Sequence, residues 1–468
     1  MNIALVQCPN WARYMPPLPL GYICAILRQE GHTVRVFDFN IEFFHTLDAA
    51  RRELWRTGQL HMDQMWRDTL MLERMFPTLQ SAVQDWAARI IESETEFVAF
   101  SVVNTSQALS LRLAGSLKSS NPRMKVAFGG YNFNFPHERE QALRSGVVDA
   151  LVVGEGELTI LDLVDQLERY GTFGSALGTA QLRGGEVVMY PERPLLKNLD
   201  GLPYPDFTDF DLDKYESHVP KLPIAMSRGC IRRCVFCSEW VSGKVFRSRS
   251  GKDVFQEICR QMERHPHVRY FNFNDSLING EMRALRELVS LLNESELGIQ
   301  WEGNAIATPL MTPAFLREMR QAGCRRLVYG IESGSQRVLD GMRKGLTVEV
   351  AERVLRDTHE ADIEASTNWI VGFPTEREED FRDTLDFIER VADCITIPAP
   401  WGSKAVLIPG TTLTQEHERF GILNESYKMD WDGQWITADG MNGMGVREDR
   451  HRRFLKHIQR LGVLDSES

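Results

Sequence analysis

Ser227-Arg228-Gly229-Cys230-Ile231-Arg232-Arg233-Cys234-Val235-Phe236-Cys237 sets three cysteines at C-x3-C-x2-C spacing on one short stretch. Three thiolates this close can converge on a single metal centre. A structural zinc site takes four ligands, and the next cysteine is Cys259. A four-iron cluster takes one ligand per iron, so three cysteines leave one iron open to a substrate or cofactor. Cys8, Cys24, Cys259, Cys324 and Cys394 are isolated and read as small buried hydrophobes. Arg228, Arg232 and Arg233 flank the trio. They either support anionic thiolates or form a solvated basic loop.

Outward from this stretch, short apolar runs alternate with helical ones. Residues 268–273, 299–304, 326–331 and 366–371 read as strands, and 282–292, 313–319, 348–361 and a stretch toward Val391 as helices. Thr312-Pro313 supplies an N-cap and a proline at the first helical position. Ser250-Gly251-Lys252-Asp253 and Thr375-Glu376-Arg377-Glu378 read as capping boxes. The alternation calls for a parallel sheet with right-handed crossovers, its functional groups at the carboxyl ends of the strands. Those ends carry Asn274, Asp275, Glu302, Asn304, Glu332, Ser333 and Ser335. Each alone also suits a cap or turn, but the pattern recurs along the run.

The N-terminal half has the same rhythm. Residues 2–7, 32–38, 97–103, 125–128 and 150–153 read as strands, with helices over 20–29, 109–117 and 158–167. A doubly wound α/β domain follows, with a ligand expected at the strands' carboxyl ends. The glycines there let a large ligand approach the backbone. No G-x-G-x-x-G follows the first strand, so a dinucleotide is not favoured. Residues 41–95 interrupt the pattern with Leu54, Trp55, Leu60, Met62, Met65, Trp66, Leu70, Met71, Met75, Phe76 and Trp86 at amphipathic-helix spacing. Packing is the preferred reading of that stripe, and a lid over an apolar ligand the other.

With Phe236 before its third ligand, the cysteine trio resembles the signature of the radical S-adenosylmethionine (SAM) superfamily. The resemblance implies a [4Fe-4S] cluster on Cys230, Cys234 and Cys237, SAM chelated to the open iron, and cleavage of SAM to a 5'-deoxyadenosyl radical. Gly330-Ile331-Glu332-Ser333-Gly334-Ser335, continued through Met342 and Lys344, resembles that superfamily's fourth-strand stretch, and Val371-Gly372-Phe373-Pro374-Thr375-Glu376 its fifth. SAM contacts are thereby implied for Phe236, Asn274, Asp275, Ser276, Glu302, Asn304, Glu332, Ser333, Gly372, Phe373 and Arg247. Arg247 or Arg249 would pair with the SAM carboxylate, unless both belong to a basic surface loop. The third strand departs from the pattern, because Asn304-Ala305-Ile306-Ala307-Thr308 lacks the arginine many relatives carry.

The N-terminal half resembles the cobalamin (B12)-binding domain fused to many such enzymes. The matching stretches are Pro16-Pro17-Leu18-Pro19-Leu20-Gly21, Gly31-His32-Thr33-Val34, residues 100–105, Gly129-Gly130 and Gly154-Glu155-Gly156-Glu157. The resemblance implies cobalamin near Pro17, Leu18, Ser101, Val103, Thr105, Gly129, Gly130, Tyr131, Gly154, Glu155, Gly156 and Glu157. The D-x-H-x-x-G signature of histidine-ligated cobalamin is absent. Asp357-Thr358-His359 and Asp449-Arg450-His451 match only its first half, outside this domain. Cobalamin is therefore expected without a histidine lower ligand. The alternative is a Rossmann-like domain that has lost its ligand.

The expected architecture is α/β. It comprises a Rossmann-like cobalamin domain over 1–190 with a helical insertion at 41–95, a linker over 191–222, a partial (β/α)6 TIM-type barrel over 223–410, and a small helical and irregular region over 411–468 that borders the substrate. In that last region Tyr427, Met429, Trp431, Trp435, Met441 and Met444 are the notable side chains, and 448–461 reads as a helix. The resemblance implies methyl transfer to an unactivated carbon or phosphorus of a small-molecule or natural-product substrate, with electrons from an external donor such as flavodoxin or ferredoxin. The alternatives are cyclisation, ring contraction or rearrangement without methyl transfer, and a non-catalytic cofactor-binding module. Composition sets the bounds: 43% hydrophobic and 25% charged residues are ordinary globular values. A net charge of -11 argues against a broad nucleic-acid surface. No apolar run suits a membrane span and no signal peptide is expected. Eight cysteines in 468 residues suit a reducing, cytoplasmic home.

Overall fold

The computed structural model describes residues 1–55, 60–217, 219–242, 245–398, 403–423 and 435–464, the side chains of 60–63 and 242 excepted. Pro400, Tyr427, Met429 and Trp431 lie outside the described residues, as do the side chains of Leu60 and Met62. The chain folds as two compact units, Met1–Lys221 and Leu222–Ser468.

The first unit is built on β1 (Asn2–Gln7), β2 (Thr33–Asp38), β3 (Phe97–Ser101), β4 (Lys125–Gly129), β5 (Ala150–Val152), β6 (Thr179–Arg183) and β7 (Glu186–Met189). The sheet order is β2-β1-β3-β4-β5-β6-β7. The first five strands are parallel, and β6 and β7 run antiparallel at one edge. The near-continuous apolar runs of β1 and β4 are what a strand covered on both faces requires. The 2-1-3-4-5 order reverses between β1 and β3, where doubly wound sheets open a ligand crevice. The β6–β7 hairpin escaped the sequence reading, yet its turn is Gly184-Gly185 with φ of 59° and 85°. Two successive positive φ values are what a type I′ hairpin turn demands.

Residues 41–95 fold into amphipathic helices, including Phe39–Thr46, Leu60–Arg67, Thr69–Met75 and Leu79–Glu92. Asp38 and Asp68 cap two of them with their carboxylates. Trp55, Trp66, Phe76 and Trp86 are buried. Their rings contact Phe43 and one another at centroid separations of 4.8–6.3 Å. The Trp stripe is therefore core, held by its own aromatic contacts. The stretch after β7 packs on this unit. Arg28 bridges Asp206 and Asp209 at 2.9 and 2.8 Å. Phe207 fills the space a side chain at Gly21 would take.

The second unit carries β8 (Lys221–Ile224), a short antiparallel ribbon of β9 (Ser227–Arg228) and β10 (Arg247–Ser248), then β11 (Tyr270–Phe273), β12 (Gln300–Ala305), β13 (Cys324–Glu332) and β14 (Glu364–Trp369). Its main sheet has the order β14-β13-β12-β11-β8, parallel from β11 to β14. A parallel bridge from Ser366 to Thr396 extends the sheet beyond β14. Helices Gly251–Arg264, Met282–Glu294, Pro313–Gln321, Val348–Glu360 and Glu378–Val391 alternate with the strands. Trp301 sets the sheet's outer face: it is fully buried and donates its indole N–H to the Ala322 carbonyl at the end of one such helix. Glu302, its neighbour, therefore points to the inner face.

Ser250 and Thr312 cap their helices as expected. The box at Thr375 does not form. That helix starts at Glu378 after Arg377. The Asp380 carboxylate accepts the Arg377 N–H at 2.7 Å, and Glu378, the carboxylate the box would use, pairs with Arg453 at 2.7 Å. A partner far along the chain overrides the local cap.

Candidate active site

The cysteine loop leaves the β9 end through Gly229, whose φ of 77° suits glycine. Cys234 is buried, and Cys230 and Cys237 are half-buried. Between two of them, Val235 is fully buried with Val338, Met342, Phe373, Leu407, Leu413 and Trp435. Its N–H donates to the Met342 carbonyl at 3.0 Å, and its carbonyl accepts the Leu413 N–H at 2.7 Å. The loop is thus bolted at its middle.

Burial raises all three thiols, Cys237 to about 12, and their mutual charges add to the rise at Cys234 and Cys237. Backbone N–H groups of Arg232 and Glu239 oppose it at Cys230 and Cys237. Bare thiolates are costly here, so a cationic centre is what would hold them ionised. Among the described residues no group of three or more His, Cys, Asp or Glu is placed to hold one metal ion. The donor set suits a cluster in which each thiolate meets a different iron.

Asp275 is buried, and its carboxylate accepts the N–H groups of Met226 and Ser227 and the Ser227 hydroxyl. Burial pushes it up to about 7 against the pull of those donors. It fastens the chain leading into the cysteine loop. Asn274 and Ser276 beside it are exposed. The Asn304 amide donates to the Asp275 carbonyl at 2.7 Å. Glu302 accepts from Tyr270 at 3.1 Å and Asn272 at 2.7 Å on the inner face. Arg249 is buried between Asp253 at 2.6 Å and Glu257 at 2.5 Å, which commits it to the scaffold. Arg247 is half-buried on the β9–β10 ribbon, opposite Arg228.

The fourth-strand stretch divides. Glu332, in a left-handed conformation with φ of 71°, pairs with Lys344 at 2.8 Å. Ser333 and Ser335 instead turn into the protein. Ser333 meets Thr384 at 3.1 Å, and Ser335 donates to Asp380 at 2.7 Å. A Cβ on Gly334 would stand 2.6 Å from Phe387 Cβ, so small residues here let helix Glu378–Val391 close on the strand.

Gly372 and Phe373, expected to face a ligand, lie within the fold. Both are buried. The Gly372 N–H donates to Glu376 at 2.9 Å, and Arg447 covers its Cα. Phe373 packs edge-on to Phe420 at 6.0 Å. Asn442 donates to the carbonyls of Phe373, Pro374 and Glu376 at 2.9, 3.0 and 2.8 Å. Asn442, Arg447, Arg450 and Lys344 are the residues that sequence reading did not single out. Only Lys344 carried a signal, its place at the end of the fourth-strand stretch.

In the first unit, the carboxyl ends of β3, β4 and β5 bring Ser101, Val103, Gly129, Gly130, Tyr131, Gly154, Glu155 and Gly156 to exposed or half-buried positions. Any Cβ on Gly130 would collide with the Val102 carbonyl, so the β3 and β4 ends approach as closely as backbone allows. Pro17, Leu18, Thr105 and Glu157 are buried instead. The Thr105 hydroxyl donates to the Asn10 carbonyl at 2.9 Å. The Glu155 carboxylate accepts the Leu196 N–H at 3.1 Å.

These two units define a radical SAM enzyme that also carries a B12-binding fold. Residues 224–388 match the radical SAM superfamily and residues 68–164 the B12 binding domain. The chain is 25% identical over 477 aligned residues to the cytidylyl-2-hydroxyethylphosphonate methyltransferase of Streptomyces wedmorensis, covering 91% of this chain and 82% of that one. It is 28% identical over 277 residues to the anaerobic magnesium-protoporphyrin IX monomethyl ester cyclase of Rubrivivax gelatinosus, covering 57% and 49%. Its fold matches the radical SAM methyltransferase TsrM of Kitasatospora setae, solved with cobalamin and a [4Fe-4S] cluster, at a TM-score of 0.67 and 17% identity over 89% of this chain and 78% of that one. The chain thus carries a radical SAM domain and a B12-binding domain, and the relatives it resembles include a named methyltransferase. The two domains imply SAM, a [4Fe-4S] cluster and cobalamin as its cofactors. Among the described residues no helix is long and apolar enough to cross a membrane.

Proposed function

We propose that the protein methylates an unactivated carbon or a phosphorus of a small-molecule or natural-product substrate. The observation that carries this reading is the joining, in one chain, of a C-x3-C-x2-C loop on a parallel αβ sheet to a 2-1-3-4-5 sheet with open glycine-rich strand ends. When bound, the cluster and SAM supply a 5'-deoxyadenosyl radical that takes a substrate hydrogen, and cobalamin supplies the transferable methyl group.

The chain's own work is to hold and exclude. Cys230, Cys234 and Cys237 hold the iron. Asp275 fixes the approach to them, and the Asn442, Arg447 and Arg450 side chains stiffen the fifth-strand loop. Ser101, Val103, Gly129, Gly130 and Gly154 form the face that takes cobalamin, with domain bounds near those set out from sequence. Its lower face is read as lacking a histidine ligand, a reading supported by the engagement of His32 by Met1 at 3.3 Å and of His45 by the Lys214 carbonyl at 2.6 Å. Electrons come from an external flavodoxin- or ferredoxin-like donor in the cytoplasm.

Anaerobic reconstitution with iron and sulfide is expected to yield about four irons per chain. Cys230→Ala, Cys234→Ala and Cys237→Ala should each abolish SAM cleavage; cleavage surviving in all three would sink the assignment. The cyclase relative favours a second reading, rearrangement without methyl transfer. SAM labelled in its methyl group separates the two, since label in the product requires methyl transfer.

A further inference from the structure

Glu332 and Lys344 form an ion pair at 2.8 Å with both side chains nine-tenths buried, at 11% exposure each. The pair sits directly over Gly330, where a Cβ would stand 2.5 Å from Glu332 Oε1 and 2.9 Å from Lys344 Nζ. The ammonium lies 5.9 Å from the centre of the Phe236 ring, the side chain between Val235 and Cys237. The turn that carries it is fastened to the cysteine loop twice. Val235 donates to Met342 at 3.0 Å, and the Arg232 guanidinium occupies the space a side chain at Gly345 would need. The Lys344 charge acts on Cys230, Cys234 and Cys237, whereas that of Glu332 acts on Cys234. A buried ion pair is weak evidence for stability, because desolvation consumes most of the attraction. Its place beside Phe236 of the cysteine loop calls for another account.

We propose that Lys344 is a positioning residue for the cluster: held by Glu332, its ammonium offsets the negative charge that the cluster gains on one-electron reduction. This rests on the cluster reading above. Glu332 orients the cation, and the bolted turn keeps it at a fixed distance from the thiolates. Removing the cation makes the reduced cluster harder to form. Removing the carboxylate makes it easier.

The test uses the full chain, reconstituted anaerobically, with the cluster's reduction followed by EPR-monitored potentiometric titration in the absence of SAM. Lys344→Met is expected to make reduction about tenfold less favourable, about 59 mV to lower potential for a one-electron couple. Lys344→Arg should restore most of that shift, and Glu332→Gln should move the potential upward. An unshifted Lys344→Met with four irons per chain overturns the role, as does an equal shift in Lys344→Arg. Should Lys344→Met fail to fold, the Lys344→Gln/Glu332→Gln double variant removes both buried charges together. A smaller downward shift supports the role there, and no shift overturns it. Wild-type protein that takes up no iron overturns the cluster reading itself, so iron content separates the two failures.

Discussion

Burial pushes the Glu376 carboxyl up to about 8 from an ordinary 4.5, even though Arg450 and the Gly372 N–H pull it down. Between those two values the folded chain holds a proton that the unfolded chain has released. Stability therefore falls as pH rises through that window. Glu376→Gln keeps an acceptor for Gly372 and has no proton to lose. Urea midpoints measured from pH 5 to 8 should fall less steeply for the variant, and parallel curves would contradict the assignment. Asp275 makes the second residue-scale case. Asp275→Asn turns an amide toward two N–H donors and should cost about 1–3 kcal/mol. Reconstituted iron content should fall with it, because Met226 and Ser227 lead into the cysteine loop. Unchanged unfolding and iron uptake would show that the anchoring is dispensable.

Among the elements, the helices of residues 41–95 separate packing from ligand contact. Trp66 is fully buried, while Leu70 and Met71 are 72% and 48% exposed. Trp66→Ala should destabilise by about 3–5 kcal/mol, and Leu70→Ser and Met71→Ser by no more than about 0.5 kcal/mol, read by chemical denaturation. If the exposed pair instead weakened cobalamin binding, these helices would act as a lid. Helix starts were legible where the cap is local, as at Ser250 and Thr312. They were not at Thr375, where Arg453 captures Glu378 from 75 residues away. Ser333 and Ser335 look like ligand contacts in a polar strand end. Their burial depends on helix Glu378–Val391 packing against Gly334, which no local pattern records.

Across the molecule, two parallel sheets and their strand edges followed from alternating apolar runs, because strands covered on both faces read plainly. The edge hairpin β6–β7 did not, although its Gly184-Gly185 turn was available. The cysteine loop was legible because ligand spacing is local. Its supports were not, since Lys344, Asn442 and Arg447 reach their sites only through tertiary packing. The lower face of cobalamin is a whole-molecule question, because His359 lies in the second unit and His137 after β4 in the first. His359→Ala and His137→Ala should each leave the absorption spectrum of bound cobalamin unchanged. A shift to a different ligation spectrum in either would identify that histidine as a ligand.

Val235 ties the proposed cluster loop to a core that also takes in Leu413, Phe420, Ile422 and Trp435 from the last part of the chain. Iron–sulfur clusters are lost in air when oxygen and water reach them. The distal residues that seat Val235 therefore govern how long the protein survives aerobic handling. Cavities cut there, remote from any ligand, would be felt first as a shortened working life outside the glovebox.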